Sequence, residues 1–427
     1  PVVTSYGPAQ YSCVLEGSDT YYYDSEETIY KRLFQDLKEA VEWLKDFRDS
    51  SPSQDLLDDF KRADKVCDGD IDKWIKFANT LRLRIAMQLV KVYPDSQKEA
   101  EDAVRDGVLT NSDSDVVLKS GLMLFRIEDL WNDTRANANI ISILQGYSDP
   151  RLERWFATNN ADIYSTDDEL SPVVEKATKY LGVRQGVPMT RTEYQGYSKT
   201  SRVGIPEQGP RPVLRVAEAY FLRAEGMLRN WNMGDGTPES LYNEGIHSAW
   251  ASVLGDESGW AGTYESYING FINTEEGGDF DWELFEGGFG SAPYINYRNQ
   301  EYNYYIEENG KQVGINRISV RWHDEDSPEK KLQRIITQKW ISFFPTLSSV
   351  AWTEYRRTGY PKLIPIPSDL NYSNGAIDTE LQIRRLPFTQ SEYRGNTEEV
   401  NKALGLLKGP DNGGTRLWWD VDKGNFE

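Results

Sequence analysis

The stretch 212–254, PVLRVAEAYFLRAEGMLRNWNMGDGTPESLYNEGIHSAWASVL, decides the fold. Val213, Val216, Ala217, Tyr220, Ala224 and Leu228 recur at spacings of three and four, which lines them along one helix face. Pro212 stands where a first-turn proline belongs, since the N–H it lacks would have no intrahelical partner there. Gly234, Asp235 and Gly236 supply a turn. Thr237 and Pro238 then read as an N-cap and first-turn pair, opening a second helix through Leu241, Gly245, Ala249 and Val253.

Two antiparallel helices joined by a tight turn are the unit of tetratricopeptide-like solenoids. The same grammar recurs upstream. Ile29, Leu33, Leu37, Ala40, Leu44 and Phe47 form one stripe, with Asp24 and Glu27 spaced as a capping box at its start. A helix is predicted over 71–93, with Trp74, Phe77, Leu81, Ile85 and Leu89 inward and Pro94 as its stop. Another covers 96–105, closed by Gly107. Downstream, Ser327 and Pro328 open a helix carrying Leu332, Ile335, Ile336, Trp340 and Phe343. Pro345 ends it, and a short helix over 347–357 precedes Gly359. The expected architecture is mainly α: one domain over 1–427, a tetratricopeptide-like helix-pair scaffold with long decorating loops and little strand. Its helical core spans 24–106, 212–254 and 327–358. The stretches 107–211, 255–326 and 358–427 read as irregular, with short hairpins around 302–321, and 1–20 reads as loop.

Composition narrows the partners. With 48 basic and 68 acidic side chains the 427-residue chain carries a net charge of -20, which repels nucleic acid and anionic lipid but not a neutral ligand such as a sugar. Tyr (25) and Trp (13) are abundant, and their flat faces and polar edges suit both packing and carbohydrate stacking. Cys13 and Cys67 are too few for a disulfide framework, and their pairing stays open. No apolar run approaches the about 20 residues that span a bilayer. Pro1 is no initiator, so a processed or truncated product is expected, with any targeting signal upstream.

Catalytic grammar is missing. His247 and His323 are the only histidines, too few for a His-rich metal site and without a supporting motif for a nucleophilic triad. Gly288 and Gly290 lack the third glycine of a dinucleotide loop. Asp68, Asp70 and Asp72 resemble a calcium loop, but Lys73 stands where its glycine should be and Asn79 where its bidentate Glu should be. Neither metal nor cofactor is expected, and a binding protein is favoured over an enzyme.

Five ordered blocks carry a family likeness: FANTLRLRIAM at 77–87; AEAYFLRAE, GMLRNWN and YNEGI across 217–246; ITQKWI, AW and EYRRTGYP across 336–361; RRLPF at 384–388; and TRLWWD at 415–420. Together they resemble the SusD/RagB-like outer-membrane nutrient-binding lipoproteins. The resemblance implies a protein lipid-anchored on the extracellular face of the outer membrane, beside a SusC-like TonB-dependent transporter. It implies capture of an oligosaccharide, or in some branches a peptide, without chemistry on it. The lipidated cysteine and leading helices of that family are not matched here, and Cys13 has no leader before it. Arg82, Arg84, Glu218, Glu225, Arg356 and Arg357 are expected to pair and fix helix packing, and Trp340, Trp352, Trp418 and Trp419 to lie in the core.

A sugar site needs an aromatic plane plus hydrogen-bonding side chains. The richest stretch is 258–305, where Trp260, Tyr264, Asp281, Trp282, Tyr294, Asn296 and Tyr297 are the candidate ligand residues and Trp260 and Trp282 the main stacking platforms. Tyr267 belongs to the same stretch. A second candidate is the N-terminal loop with Tyr6, Tyr11 and Tyr21–Tyr23; a third is Trp131, Asn132 and Asp133. The rival readings are a peptide-binding relative, a carboxylate-based glycoside hydrolase and a scaffold that binds only protein.

Overall fold

The computed structural model describes residues 1–118, 134–147, 149–158, 180, 182–183, 185–186, 197–199, 211–254, 267, 305–308, 311–314, 318–366 and 368–427. Two one-turn helices, α1 (Val2–Tyr6) and α2 (Ser12–Glu16), precede α3 (Glu26–Asp49), α4 (Gln54–Ala63), α5 (Ile71–Gln88) and α6 (Ser96–Arg105). After β1 (Val116–Leu118) come α7 (Ala138–Gly146), α8 (Arg151–Trp155), β2 (Arg211–Leu214) and the pair α9 (Val216–Leu228) and α10 (Pro238–Leu254). Strands β3 (Tyr305–Glu308) and β4 (Lys311–Gly314) precede α11 (Pro328–Ser342) and α12 (Ser348–Thr358), and two short helices follow, α13 (Gln390–Gly395) and α14 (Thr397–Leu404). The fold is mainly helical, as the periodicity predicts.

The α9–α10 pair forms for legible reasons. Thr237 Oγ1 accepts from the Ser240 N–H at 3.1 Å while Ser240 Oγ accepts from the Thr237 N–H at 2.8 Å, a reciprocal cap that satisfies two orphan donors. A Cβ at Gly245 would stand 2.7 Å from the Phe221 ring, so only glycine lets α10 lie this close on α9. Helix α9 also packs on α5 and α11, and α5 on α3 and α6. Phe221, Tyr242, Leu83, Met87, Ile335 and Trp419 belong to one continuous core running from α1 to the C-terminal segment. Each such large side chain contributes about 1.5–3 kcal/mol by leaving water.

Through this core runs a chain of buried charges. Arg357 on α12 donates to both oxygens of Glu225 on α9, at 2.6 and 2.7 Å, and to Glu354 at 2.5 Å. Arg229 adds 2.8 and 3.2 Å bonds to Glu225. Lys339 on α11 lies 3.2 Å from Glu354 and 4.0 Å from Glu218. Arg84 on α5 closes the chain with two bonds to Glu218, at 2.7 and 2.5 Å. The expected pairing role of Arg84, Glu218, Glu225 and Arg357 is met, and Arg82 donates to Asn79 at 3.1 Å and approaches Glu99 at 3.4 Å.

Several expectations are corrected. Pro212 lies in β2, paired with Val117, and Val213 is 38% exposed; a two-stranded sheet has an open side toward which a proline can be tolerated. The cap of α3 is Ser25, which accepts from the Thr28 N–H at 3.1 Å, because the Asp24 carboxylate is engaged by the Ser12 N–H at 2.7 Å. Helix α5 stops at Gln88, before Pro94, and Trp74, Phe77 and Leu81 are only half-buried. The stretch 107–211 holds α7 and α8, 358–427 holds α13 and α14, and 1–20 holds α1 and α2. In α7 Ile140, Ile141, Ile143 and Leu144 are all buried, so no amphipathic stripe announces the helix. The hairpin expected around 302–321 is β3–β4, registered from Tyr305↔Gly314 to Glu308↔Lys311.

Burial alone would raise the Glu225 carboxyl, but the Arg357 and Arg229 guanidiniums outweigh it and hold it at about 2, below its ordinary 4.5. A depressed carboxyl stabilises the fold above its unfolded value and loses that contribution as pH falls from about 4.5 toward 2. Glu225→Gln should therefore cost about 3–5 kcal/mol at pH 7, as expected when one partner of a buried pair is removed. Urea unfolding at pH 7 and pH 3 should show the difference from wild type shrinking at the lower pH.

Candidate functional site

Two concavities stand out among the described residues. The larger, about 700 Å³, is a groove between the N-terminal segment, α3, α5, α12 and the stretch 388–392. Tyr6, Tyr11 and Tyr23 of the second candidate loop converge on it, while Tyr21 is exposed outside it. Several of its polar groups are spent on hydrogen bonds within the protein. Tyr11 donates to Asp36 at 2.7 Å, Tyr23 to Glu392 at 2.5 Å, and Gln88 to the Tyr30 hydroxyl at 2.7 Å. Burial and the Asp36 bond push the Tyr11 hydroxyl up to about 12. What remains is an apolar wall of Val3, Ile29, Leu33, Leu81, Ile85 and Val350, poorly matched to a hydroxyl-rich ligand.

The smaller concavity, about 320 Å³, is chemically different. It lies between the start of α7 (Asn137, Asn139), the α11–α12 corner (Trp340, Phe344, Ser348, Ala351, Trp352, Tyr355) and Leu363 and Gln382. None of its fourteen lining residues is charged, in a chain that is 27% charged. The rings are held. Trp352 Nε1 donates to the Ile383 carbonyl at 2.9 Å, and the Arg356 guanidinium lies 3.5 Å from the ring centroid. Arg356 is itself fixed by the Arg384 and Thr4 carbonyls at 2.7 and 2.6 Å. Tyr355 donates to the Glu380 carbonyl at 2.6 Å, and Phe344 packs against Trp155 and Phe156. Asn139 Oδ1 accepts from the Ile364 N–H at 2.7 Å, Asn137 Oδ1 from the Asn139 N–H at 2.8 Å, and Gln382 Nε2 donates to the Ile364 carbonyl at 3.3 Å. Asn137 Nδ2, Asn139 Nδ2 and Gln382 Oε1 keep no partner among the described residues.

Sequence reasoning missed this pocket. Trp340 and Trp352, expected in the core, are half-buried and line it; Trp418 is half-buried against Tyr30, and Trp419 alone of the four is fully buried. The candidates Trp260, Tyr264, Asp281, Trp282, Tyr294, Asn296 and Tyr297 lie outside the described residues, as do Trp131, Asn132 and Asp133. Tyr267, from the same loop, is buried, with its hydroxyl 2.9 Å from Asp149 and 3.2 Å from Gln338.

The remaining reactive groups have structural employment. Asp70 Oδ1 caps α5 through the Lys73 N–H at 2.9 Å. Among the described residues no cluster of His, Cys, Asp or Glu could hold a metal ion. Both cysteines are buried and free; Cys13 donates to the Tyr22 carbonyl, and burial pushes the Cys67 thiol up to about 12, far from a nucleophilic thiolate. His323 lies 3.3 Å from Glu325.

The described residues thus form a helix-pair scaffold with an uncharged aromatic–amide pocket at the α11–α12 corner. The chain belongs to the SusD-like family: the family model described as Susd and RagB outer membrane lipoprotein matches residues 2–264 and 289–420. A chitin-binding SusD homologue from Flavobacterium johnsoniae is 36% identical with a TM-score of 0.80, covering 100% of this chain and 79% of that one. A SusD homologue from Bacteroides vulgatus is 31% identical (TM-score 0.78; 100% and 77% covered), and one from Bacteroides thetaiotaomicron 29% (TM-score 0.78; 99% and 79%). No curated protein matches significantly. The family thus includes glycan binders and is one of outer-membrane lipoproteins. Among the described residues no helix is long and apolar enough to cross a membrane.

Near the groove, the Glu26 carboxyl accepts from the Trp418 N–H at 3.0 Å through Oε1, while buried Oε2 has no partner among the described residues. Burial raises it to about 7 from an ordinary 4.5. A raised carboxyl favours the fold below the unfolded value, and that contribution is lost as pH rises through the folded one. Glu26→Gln should therefore stabilise the protein by about 1–3 kcal/mol at pH 8, with the gain gone below about pH 4.5. Unfolding curves across pH 4–8 measure it.

Proposed function

We propose that this chain is a cell-surface glycan-binding protein that performs no chemistry on its ligand. It is lipid-anchored at the extracellular face of the outer membrane and delivers captured oligosaccharide to a SusC-like TonB-dependent transporter. The observation that carries the reading is family membership over most of the chain, together with a chitin-binding homologue that is 36% identical over 100% of this chain and 79% of its own. β-Linked N-acetylglucosamine oligomers are accordingly the first ligand class to test. The net charge of -20 fits a neutral glycan and disfavours anionic ones. Within the stretch 258–305, Trp260 and Trp282 are the stacking platforms on this reading, and Tyr264, Asp281, Tyr294, Asn296 and Tyr297 are further ligand residues. Loss of either ring lowers affinity, since ring faces supply much of the contact area in such sites.

Calorimetric titration with chitohexaose should show binding that falls at least tenfold in the Trp260→Ala, Trp282→Ala double variant. Unchanged affinity in that variant would remove the loop from the site. Binding of peptides and of no glycan would transfer the protein to the peptide-capturing reading.

A further inference from the structure

We infer that the uncharged pocket between α7, the α11–α12 corner and Gln382 is a subsite for a single pyranose ring carrying an N-acetyl group. This rests on the glycan-binding reading and names lining residues for the sugar in addition to those proposed in 258–305. The pocket's about 320 Å³ lies at the lower end of small-ligand sites, suited to one substituted ring and not to an extended chain.

Three features favour an acetamido sugar. Trp340, Phe344 and Trp352 give apolar faces for a ring and for the acetyl methyl. Trp352 is pre-positioned by the Arg356 stack and by its bond to the Ile383 carbonyl, so little freedom is lost when a ligand lands on it. The unspent amide atoms then complement an acetamido group. Asn137 and Asn139 offer N–H donors to its carbonyl oxygen, and Gln382 Oε1 can accept its N–H. A neutral amide in a neutral pocket also avoids the desolvation cost that a carboxylate or ammonium ligand would carry. Gln382 is held at φ 56, an uncommon conformation for a non-glycine residue, by its N–H bond of 2.9 Å to the Asp378 carbonyl. In the larger groove Tyr11, Tyr23 and Gln88 already spend their donors on Asp36, Glu392 and Tyr30.

Two variants test the subsite. Ser348→Trp, at an exposed first-turn position of α12, fills the pocket; Asn137→Ser keeps an oxygen to cap the Asn139 N–H while deleting the amide donor. With melting temperatures checked against wild type, each is titrated with chito- and cello-oligosaccharides of equal length. Ser348→Trp should weaken chito-oligosaccharide binding at least tenfold, and Asn137→Ser should narrow the preference for the acetamido series at least threefold. Wild-type affinity in both folded variants, with binding still lost in the Trp260/Trp282 variant, would overturn the subsite and leave the glycan reading intact. Weakening by Ser348→Trp with an unchanged preference in Asn137→Ser would overturn the acetamido assignment. A wild-type protein that binds no glycan would overturn the reading beneath both.

Discussion

The structure depends on the pairing of Glu225 with Arg357 inside an apolar core. Neither charge could remain there alone: an unpaired buried ion is penalised by several kcal/mol, and removal of one partner exposes the other to that penalty. The pair is extended by Glu354, Lys339, Glu218 and Arg84, so that α5, α9, α11 and α12 are joined by ions as well as by apolar contact. Apolar burial is non-directional and would accept many helix arrangements. Bidentate guanidinium–carboxylate geometry accepts few. Glu218 and Glu225 are two turns apart on α9 and meet different partners, which sets both the register and the neighbours of the central helix.

The residue beside Arg357 carries this order outward. Arg356 points to the other side of α12, where its guanidinium lies against Trp352 and, at 4.8 Å, Trp419. It also bonds carbonyls of Thr4 and Arg384, tying the N-terminal segment and the stretch before Leu386 to the same helix. Arg384 in turn pairs with buried Asp420. One dipeptide thus connects the ionic core to an aromatic wall of the uncharged pocket. A pocket wall anchored in this way is rigid, which is what a carbohydrate subsite requires when stacking and a few amide bonds must supply its selectivity.

Legibility in the sequence followed the physics of each element. Helices with one buried stripe and a side-chain cap, α10 and α11 above all, were readable to within a residue or two, because Thr237, Pro238, Ser327 and Pro328 mark their starts. Helix α7 was not, since IISIL is buried all round and presents no period. Pro212 fits a first turn and an edge strand equally well, and only the pairing of Val117 across the sheet decides. Asp24 and Ser25 are both good caps, and a tertiary contact to the Ser12 N–H assigns one of them elsewhere. The uncharged pocket draws on residues from Asn137 to Gln382, so no local spacing could reveal it. The aromatic loop was visible as composition alone.

On the proposed glycan-binding reading, the ionic scaffold presents a carbohydrate surface on the side of the α11–α12 corner. A crystal structure of the protein saturated with a chito-oligosaccharide tests it most directly. Sugar density stacked on Trp352 and Trp340 is the expected result. Sugar seated instead in the apolar groove beside Tyr11 and Tyr23, or no sugar bound at all, would contradict it.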